Sequence, residues 1–511
     1  MKLNTKRTVL VGFAFFLICT FWQAYDSIIP LILTNKFGMS QTWSGVIMAI
    51  DNVLALFMLP LFGTLSDKCR HKRGRRTPFI LAGTIVAVAA FIGLSFVDGM
   101  QLSKIDKISA IDDPAALEVI YDAKADDTLQ TPEGDEFVLG EKFTKDAFIS
   151  IRLQLEDGST NPEYTNYVVP ARQACAADIT AKDPSALIFF VALLLMVLIA
   201  MATFRSPAVA LMPDVTIKPL RSKANAVINL MGAAGGIVVL VLGIVFSTGA
   251  AKNAMMNYIT FFGIVGGVMI ACLVTFMLTV KEPQWAAEMH SDSIKYGIET
   301  EETAATGGKL GKKQLKSLLF LLASIVLWFF GYNAITSKYS VYAANVLDMD
   351  YNTTLIIAQA AAIVSYIPIG AISSKIGRKK TIMAGIVMLA TAFGCAGFIR
   401  SNSPILIVNV LFALAGIAWA AINVNSFPMV VEMCSGGDVG KYTGFYYTAS
   451  MAAQTLTPMV SGFLMDQAGM TVLFPYGTVF VALAFVTMMF VRHGDNKVEA
   501  KKGLEAFDID D

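Results

Sequence analysis

The sequence predicts an all-α membrane protein, with twelve transmembrane helices in two pseudo-symmetric six-helix bundles and a small extracytoplasmic insert. Three observations carry that prediction. The 511 residues are 55% hydrophobic and only 15% charged, whereas soluble domains carry about 25% charged residues. Apolar runs close to the roughly 20 residues that cross a bilayer recur along the chain, and in lipid their backbone must be paired internally, which selects helices. One loop pattern also occurs twice, six spans apart: "GTLSDKCRHKRGRRTP" (63–78) after the second span and "GAISSKIGRKKTI" (370–382) after the eighth.

The spans read near 9–33, 42–62, 77–97, 186–212, 223–247, 256–280, 315–346, 353–374, 380–399, 404–431, 442–466 and 471–491. The first is too long for a signal-peptide core and lacks a small-residue cleavage site, so it reads as a retained span. Lys6 and Arg7, the six Lys/Arg of 68–76, Lys218, Arg221, Lys223, Arg378-Lys379-Lys380, Lys441 and Arg492 all fall on one side. The positive-inside rule makes that side cytoplasmic and puts both termini there. The expected organisation is an amino-terminal bundle over 1–281, a cytoplasmic linker over 282–314, a carboxy-terminal bundle over 315–492 and a cytoplasmic tail over 493–511.

Between the third and fourth spans, residues 98–185 form the extracytoplasmic insert, with 18 Asp/Glu against 8 Lys/Arg. Ile149, Ile151, Leu153 and Leu155 alternate with polar residues ahead of "EDGST", which predicts a strand entering a hairpin turn. Residues 98–136 are expected to be largely irregular. Of the six cysteines, only Cys175 lies in the insert, so no disulfide can close within it, and no cysteine spacing suits a metal. The glycines of "GAAGGIVVLVLG" (232–243) fit close helix packing. With neither a phosphate-loop lysine nor a preceding strand, they do not suggest nucleotide binding. ATP-driven pumping and enzymatic hydrolysis are therefore not expected, and no cofactor is implied.

Two related six-helix halves are a signature of transporters, whose site lies between them near mid-membrane. The loop residues Gly63, Leu65, Asp67, Gly74, Arg75 and Arg76 resemble the pattern of the major facilitator superfamily. The extended form, with Ser66, Lys68, Cys69, Pro78, Phe79 and Ile80, is similar to the sucrose-transporter-like sugar/proton symporters, relatives of the glycoside–pentoside–hexuronide cation symporters. "FRSPAVALMPDVTIKPLRSKANAVINLMG" (204–232) and "WAAINVNSFPMVVEM" (419–433) also resemble bacterial members of that group. The resemblance implies the major facilitator fold and a cytoplasmic gate formed by Gly63, Asp67, Gly74, Arg75 and Arg76, with Gly377 and Arg378 as the second copy. Ser374 stands where the first copy has Asp67. An acidic group at a helix end can neutralise nearby arginines and the positive end of a neighbouring helix dipole. Asp214 is expected to join this gate by pairing with Arg221.

Ionisable groups inside spans are costly and point to a site. Asp26 and Asp51 are the candidates for proton coupling, because a carboxyl group among apolar side chains can hold a proton and release it when the cavity floods. A structural hydrogen bond with Asn52 would equally account for Asp51. Arg205 is a candidate substrate ligand or a snorkelling anchor, and Lys338 could simply reach water. The resemblance places the first, fourth, seventh and tenth helices around the cavity. On three of these, aromatic and polar residues recur four apart, hence on one face: Trp22 and Asp26; Trp328, Tyr332 and Thr336; Trp419 and Asn423. Rings can stack on the apolar faces of a sugar while polar groups bond its hydroxyls. Gln23, Asn333, Asn425 and Gln454 are further candidates without that spacing; equally, the aromatics could serve packing.

The expected function is import of a disaccharide or glycoside, such as sucrose or maltose, in symport with a proton or sodium ion by alternating access. A proton-coupled exporter and a transport-inactive sugar sensor are the alternatives. The expected setting is the bacterial cytoplasmic membrane, as a monomer in the lipid bilayer with no nucleic-acid partner.

Overall fold

The computed structural model describes residues 3–156, 159–217, 220–295, 311–431, 433 and 439–493. Twelve long helices dominate it: Thr5–Asn35, Gln41–Lys68, Thr77–Lys104, Ser185–Asp214, Arg221–Phe246, Ile259–Thr279, Lys312–Tyr342, Tyr351–Ile376, Arg378–Ala396, Ile405–Val431, Val439–Ala468 and Leu473–Met489. They are numbered first to twelfth below. Among the described residues, ten helices are long and apolar enough to cross a membrane. The eighth and eleventh are also long, at 26 and 30 residues. The described residues thus hold the twelve long helices that the apolar runs predict, six in each half. Each half has its own apolar core, around Phe21, Phe91 and Phe262 in the first and around Trp328, Phe393 and Phe474 in the second.

The repeated loop is a repeated backbone shape. Gly74 has φ +111° and Gly377 has φ +93°, a region open to glycine because it has no Cβ. Each turns the chain sharply into the next helix. After Gly74, the leading amides of the third helix have no helical acceptor. The carboxylate of Glu282 takes them: Arg75 N–H donates at 2.7 Å, Arg76 N–H at 2.9 Å and Thr77 N–H at 2.8 Å. A Cβ at Gly74 would strike that carboxylate. Glu282 opens a helix, Glu282–Lys295, within the stretch expected to be a linker. That helix is held to the first by Arg7, which pairs with Glu288 at 2.5 Å and lies 5.2 Å from the Trp285 ring.

The third helix runs to Lys104, so Asp98 belongs to a span rather than to the insert. Asp98 is fully buried and accepts from Lys36 Nζ at 2.5 and 2.7 Å. Lys36 also donates to the Met256 carbonyl at 2.7 Å and sits 4.5 Å from the Tyr258 ring centroid.

The described residues of 105–156 and 159–184 then form a small folded unit, and the stretch 98–136 expected to be largely irregular is part helix and part hairpin. Pro114–Lys124, Lys145–Ser150 and Val169–Lys182 are helices, and Thr128–Gln130 pairs antiparallel with Glu136–Val138. Leu117, Ile120, Phe148, Tyr164 and Val168 fill its core. The strand expected over 149–155 is not formed as such. Thr144 caps a helix that takes in Ile149, and the residues beyond it pair only through a bridge of Gln154 with Thr160. Phe148, Ile151 and Leu153 reach the insert core from that turn.

The two halves meet on the face that bears the insert. Asp466, on the eleventh helix, caps the second by accepting from Gln41 N–H and Thr42 N–H, both at 2.7 Å. Lys338 does not reach water; it is fully buried and donates to the Gln41 carbonyl at 2.6 Å. Thr248 and Tyr351 hydroxyls lie 2.9 Å apart, and Asn352 Nδ2 donates to Thr248 at 3.1 Å. The insert adds two ties of its own: Met470 N–H donates to the Pro132 carbonyl at 2.7 Å, and Glu133 pairs with Arg400 at 3.4 Å. The molecule is thus closed on the insert face.

Two outcomes follow from this packing. Asp98→Asn strands the Lys36 charge in the core and should cost about 3–5 kcal/mol in unfolding of the solubilised protein, whereas Lys36→Met with Asp98→Leu recovers most of it. Burial pushes the Cys175 thiol up to about 11, so at pH 8 only about one thiol in a thousand is a thiolate. A polar maleimide should leave Cys175 unmodified until the insert is unfolded, and rapid labelling of the native protein would contradict its place in the core.

Candidate functional site

Where the bundles face each other lies a cavity of about 210 Å³. The first helix contributes Trp22 and Asp26, the second Met48, Asp51 and Asn52, and the fourth Arg205. The seventh contributes Asn333, Thr336 and Ser337, and the eleventh Gln454 and Pro458. Trp22 and Asp26 are one turn apart and share a face. The Asp26 side chain is open to the cavity. Asp51 accepts from Asn52 Nδ2 at 2.9 Å. The Arg205 guanidinium stands 5.6 Å from the Trp22 ring centroid, within cation–π range.

Two carboxylates and one guanidinium therefore line one space. Among the described residues none of the three has an ion-pair partner within 4 Å. Asn333 Nδ2 and Trp22 Nε1 are buried donors with no protein partner. Buried donors are normally satisfied, so this lining is prepared for a polar guest that both accepts and donates. Among the described residues no three His, Cys, Asp or Glu side chains converge to hold a metal.

Other residues expected at the site lie elsewhere. Gln23 accepts from Gln359 Nε2 of the eighth helix at 2.8 Å and donates to Ser27 at 3.0 Å; it ties the bundles together. Trp328 is fully buried in the carboxy-terminal core. Tyr332 and Trp419 stack on each other, with centroids 3.6 Å apart and planes within 5°, so one face of each ring is covered by the other, and neither lines the cavity. Asn423 is half-buried outside the cavity lining. Asn425 is buried, accepts from Ser373 and donates to the Ala421 carbonyl at 2.9 Å, which makes it structural. The second and eleventh helices supply lining that was expected from the tenth.

On the face away from the insert, the loop after the second helix makes a charge cluster. Arg76 pairs with Asp67 at 2.5 Å and with Asp214 at 2.8 Å, and it donates to Ser66. Arg75 also binds Asp214, through Nε at 3.0 Å and through Nη2. Asp214 thus serves Arg75 and Arg76; the Arg221 side chain lies outside the described residues. Gly63 packs against the fourth helix at Ser206. In the second copy, Gly377 precedes the ninth helix, Arg378 is buried at its start, and Lys379 donates to the Met489 and Val491 carbonyls at 3.0 and 2.5 Å. Sequence reasoning missed Glu282, which organises the first cluster. Its one sequence signal is an acidic residue just past the end of an apolar run, after Lys281.

Comparison with known proteins places these features in a family. A family model described as "MFS/sugar transport protein" matches residues 11–110, and one described as "Major Facilitator Superfamily" matches residues 351–508. Sucrose transport protein SUC4 of Arabidopsis thaliana is 38% identical over 72 residues, covering 12% of this chain and 14% of that protein. The chain spans less than half the length of the curated relatives it matches, between 10% and 44%. Among solved structures, the inward-open xylose transporter XylE from E. coli aligns over 96% of this chain and 97% of its own, with TM-score 0.56 at 14% identity. A D-xylose-proton symporter aligns over 95% and 98%, with TM-score 0.57 at 15% identity. With a superfamily match in each half and the fold shared from end to end, this chain belongs to the major facilitator superfamily.

Proposed function

We propose that the protein is a secondary active transporter that carries a sugar together with a proton by alternating access. The observation that carries this reading is the cavity between the bundles, where Asp26, Asp51 and Arg205 face one space without ion-pair partners. Carboxylates accept from sugar hydroxyls, while the guanidinium and the amides of Asn333 and Gln454 donate to them. The Trp22 indole offers an apolar flank for a C–H face. The matches to a sugar-transport family model and to a plant sucrose transporter support the substrate class, and the likeness to xylose transporters supports the geometry.

Asp26 is the coupling group in this reading. Protonated, it donates to the sugar and adds no net charge to the cavity; deprotonated, it leaves a negative charge that holds the empty carrier back from closing. Asp51 and Arg205 bind and orient. The charge cluster of Asp67, Arg75, Arg76 and Asp214 latches the side opposite the insert, which the distribution of basic residues assigns to the cytoplasm of the cell that carries the protein in its plasma membrane. The chain works as a monomer, since each bundle finds its counterpart within the same polypeptide.

Reconstitution in liposomes with an imposed pH gradient and a panel of labelled sugars tests this directly. The wild type accumulates a disaccharide or glycoside against its gradient. Asp26→Asn loses that accumulation by about tenfold or more, the scale set by removing a charged hydrogen bond, yet still exchanges sugar for sugar. Unchanged uphill accumulation by Asp26→Asn removes it from coupling. Proton-driven efflux would make the protein an exporter, and sugar binding without flux would make it a sensor.

A further inference from the structure

A second cavity, of about 30 Å³, lies at the outer seam where three parts of the molecule meet. Arg172 and Tyr164 come from the insert, Asn35 and Thr248 from the amino-terminal bundle, and Asn345 from the end of the seventh helix in the other bundle. Arg172 is only 2% exposed. Its Nη2 donates to the Tyr164 hydroxyl at 2.8 Å, and its guanidinium carbon stands 5.5 Å from that ring. Its Nε is buried without an acceptor.

No carboxylate lies within 4 Å of Arg172 among the described residues. The insert's ion-paired carboxylates are engaged elsewhere: Asp127 and Asp178 with Lys124, Asp183 with Lys104 of the third helix, Glu118 and Asp122 with Lys145, and Glu133 with Arg400. Asp350, beside Gly249 on the rim, gives its carboxylate to the Asn352 amide groups. A buried charge with no counter-charge costs several kcal/mol, so an arginine in this position calls for a negative partner.

The rest of the wall points the same way. Asn345 Nδ2 is a second buried donor without a partner. Gln173 Nε2 donates to Asn35 Oδ1 at 2.9 Å, and the Thr248 and Tyr351 hydroxyls lie 2.9 Å apart. The buried polar atoms of this wall that lack a partner, Arg172 Nε and Asn345 Nδ2, are both donors. A water needs roughly 10–15 Å³ of such space, so the cavity has room for one monatomic ion or two waters and none for a sugar acid.

We propose that this seam is a binding site for a small inorganic anion, chloride, held by Arg172 and Asn345 between the insert and the two bundles. Because the wall includes both bundles, the site exists only while the insert face is closed. Chloride therefore favours that conformer by binding it and not the other. This assignment does not depend on what the central cavity carries.

The full-length protein, purified with gluconate as the sole anion, is titrated with chloride or bromide at constant ionic strength, up to about 0.15 M, while thermal unfolding is followed. The midpoint should rise and saturate with either halide and stay flat with added gluconate. Arg172→Gln should weaken the apparent affinity about tenfold or more, since a charged hydrogen bond is lost; Asn345→Leu, which leaves the charge in place, should weaken it less. In a second readout, Glu133→Cys with Arg400→Cys reports closure of the insert face, and disulfide formation between them should speed up with chloride. Absence of a halide-specific shift, or a shift of equal midpoint in wild type and both variants, overturns the assignment.

Discussion

A hydrocarbon medium solvates no polar group, so each donor, acceptor or charge that the spans keep must be answered from within the chain. Long helices answer the backbone. Side chains are answered pairwise, and the answers come from distant positions in sequence. Asp98 closes on Lys36, Glu282 covers the leading amides of the third helix, and Asp466 covers those of the second from the opposite bundle. Against that background, Asp26, Asp51 and Arg205 share one space where the halves face one another with no ion-pair partner within 4 Å among the described residues, beside the unpartnered amide of Asn333. The function follows from where the accounting is left incomplete.

The same rule explains which parts of the architecture were legible beforehand. Span count and bundle organisation follow from the length and spacing of apolar runs, which need no tertiary information. The carboxylates inside spans were visible because they interrupt such runs. Glu282 was not, since its role depends on a loop over 200 residues away. The insert was read least well. Its alternating residues 149–155 are too few to separate a strand from a helical turn followed by extended chain, and its helices carry apolar faces sized for a local core rather than for lipid.

Aromatic spacing was a partial guide. A step of four residues turns a helix by 400°, so each step drifts about 40° from the last. Trp22 and Asp26 stay together over a single step. Over two, Trp328 turns into the core of its own bundle while Thr336 faces the cavity. Tyr332, between them, meets Trp419 from the tenth helix, and that encounter removes both rings from the lining. Periodicity identifies a shared face; it does not say which neighbour will claim it.

The pair of left-handed turns at Gly74 and Gly377 bears on how the two halves diverged. The acid of the first copy is a serine in the second; Arg75 and Arg76 bind Asp214 in the one, while Lys379 donates to the Met489 and Val491 carbonyls in the other. What survives in both is a bend in the main chain. An ancestral duplication can thus keep its corner and the basic pair that follows it while exchanging the acid before it, and a search for ancient internal repeats in such carriers gains by comparing torsion angles as well as side-chain identities.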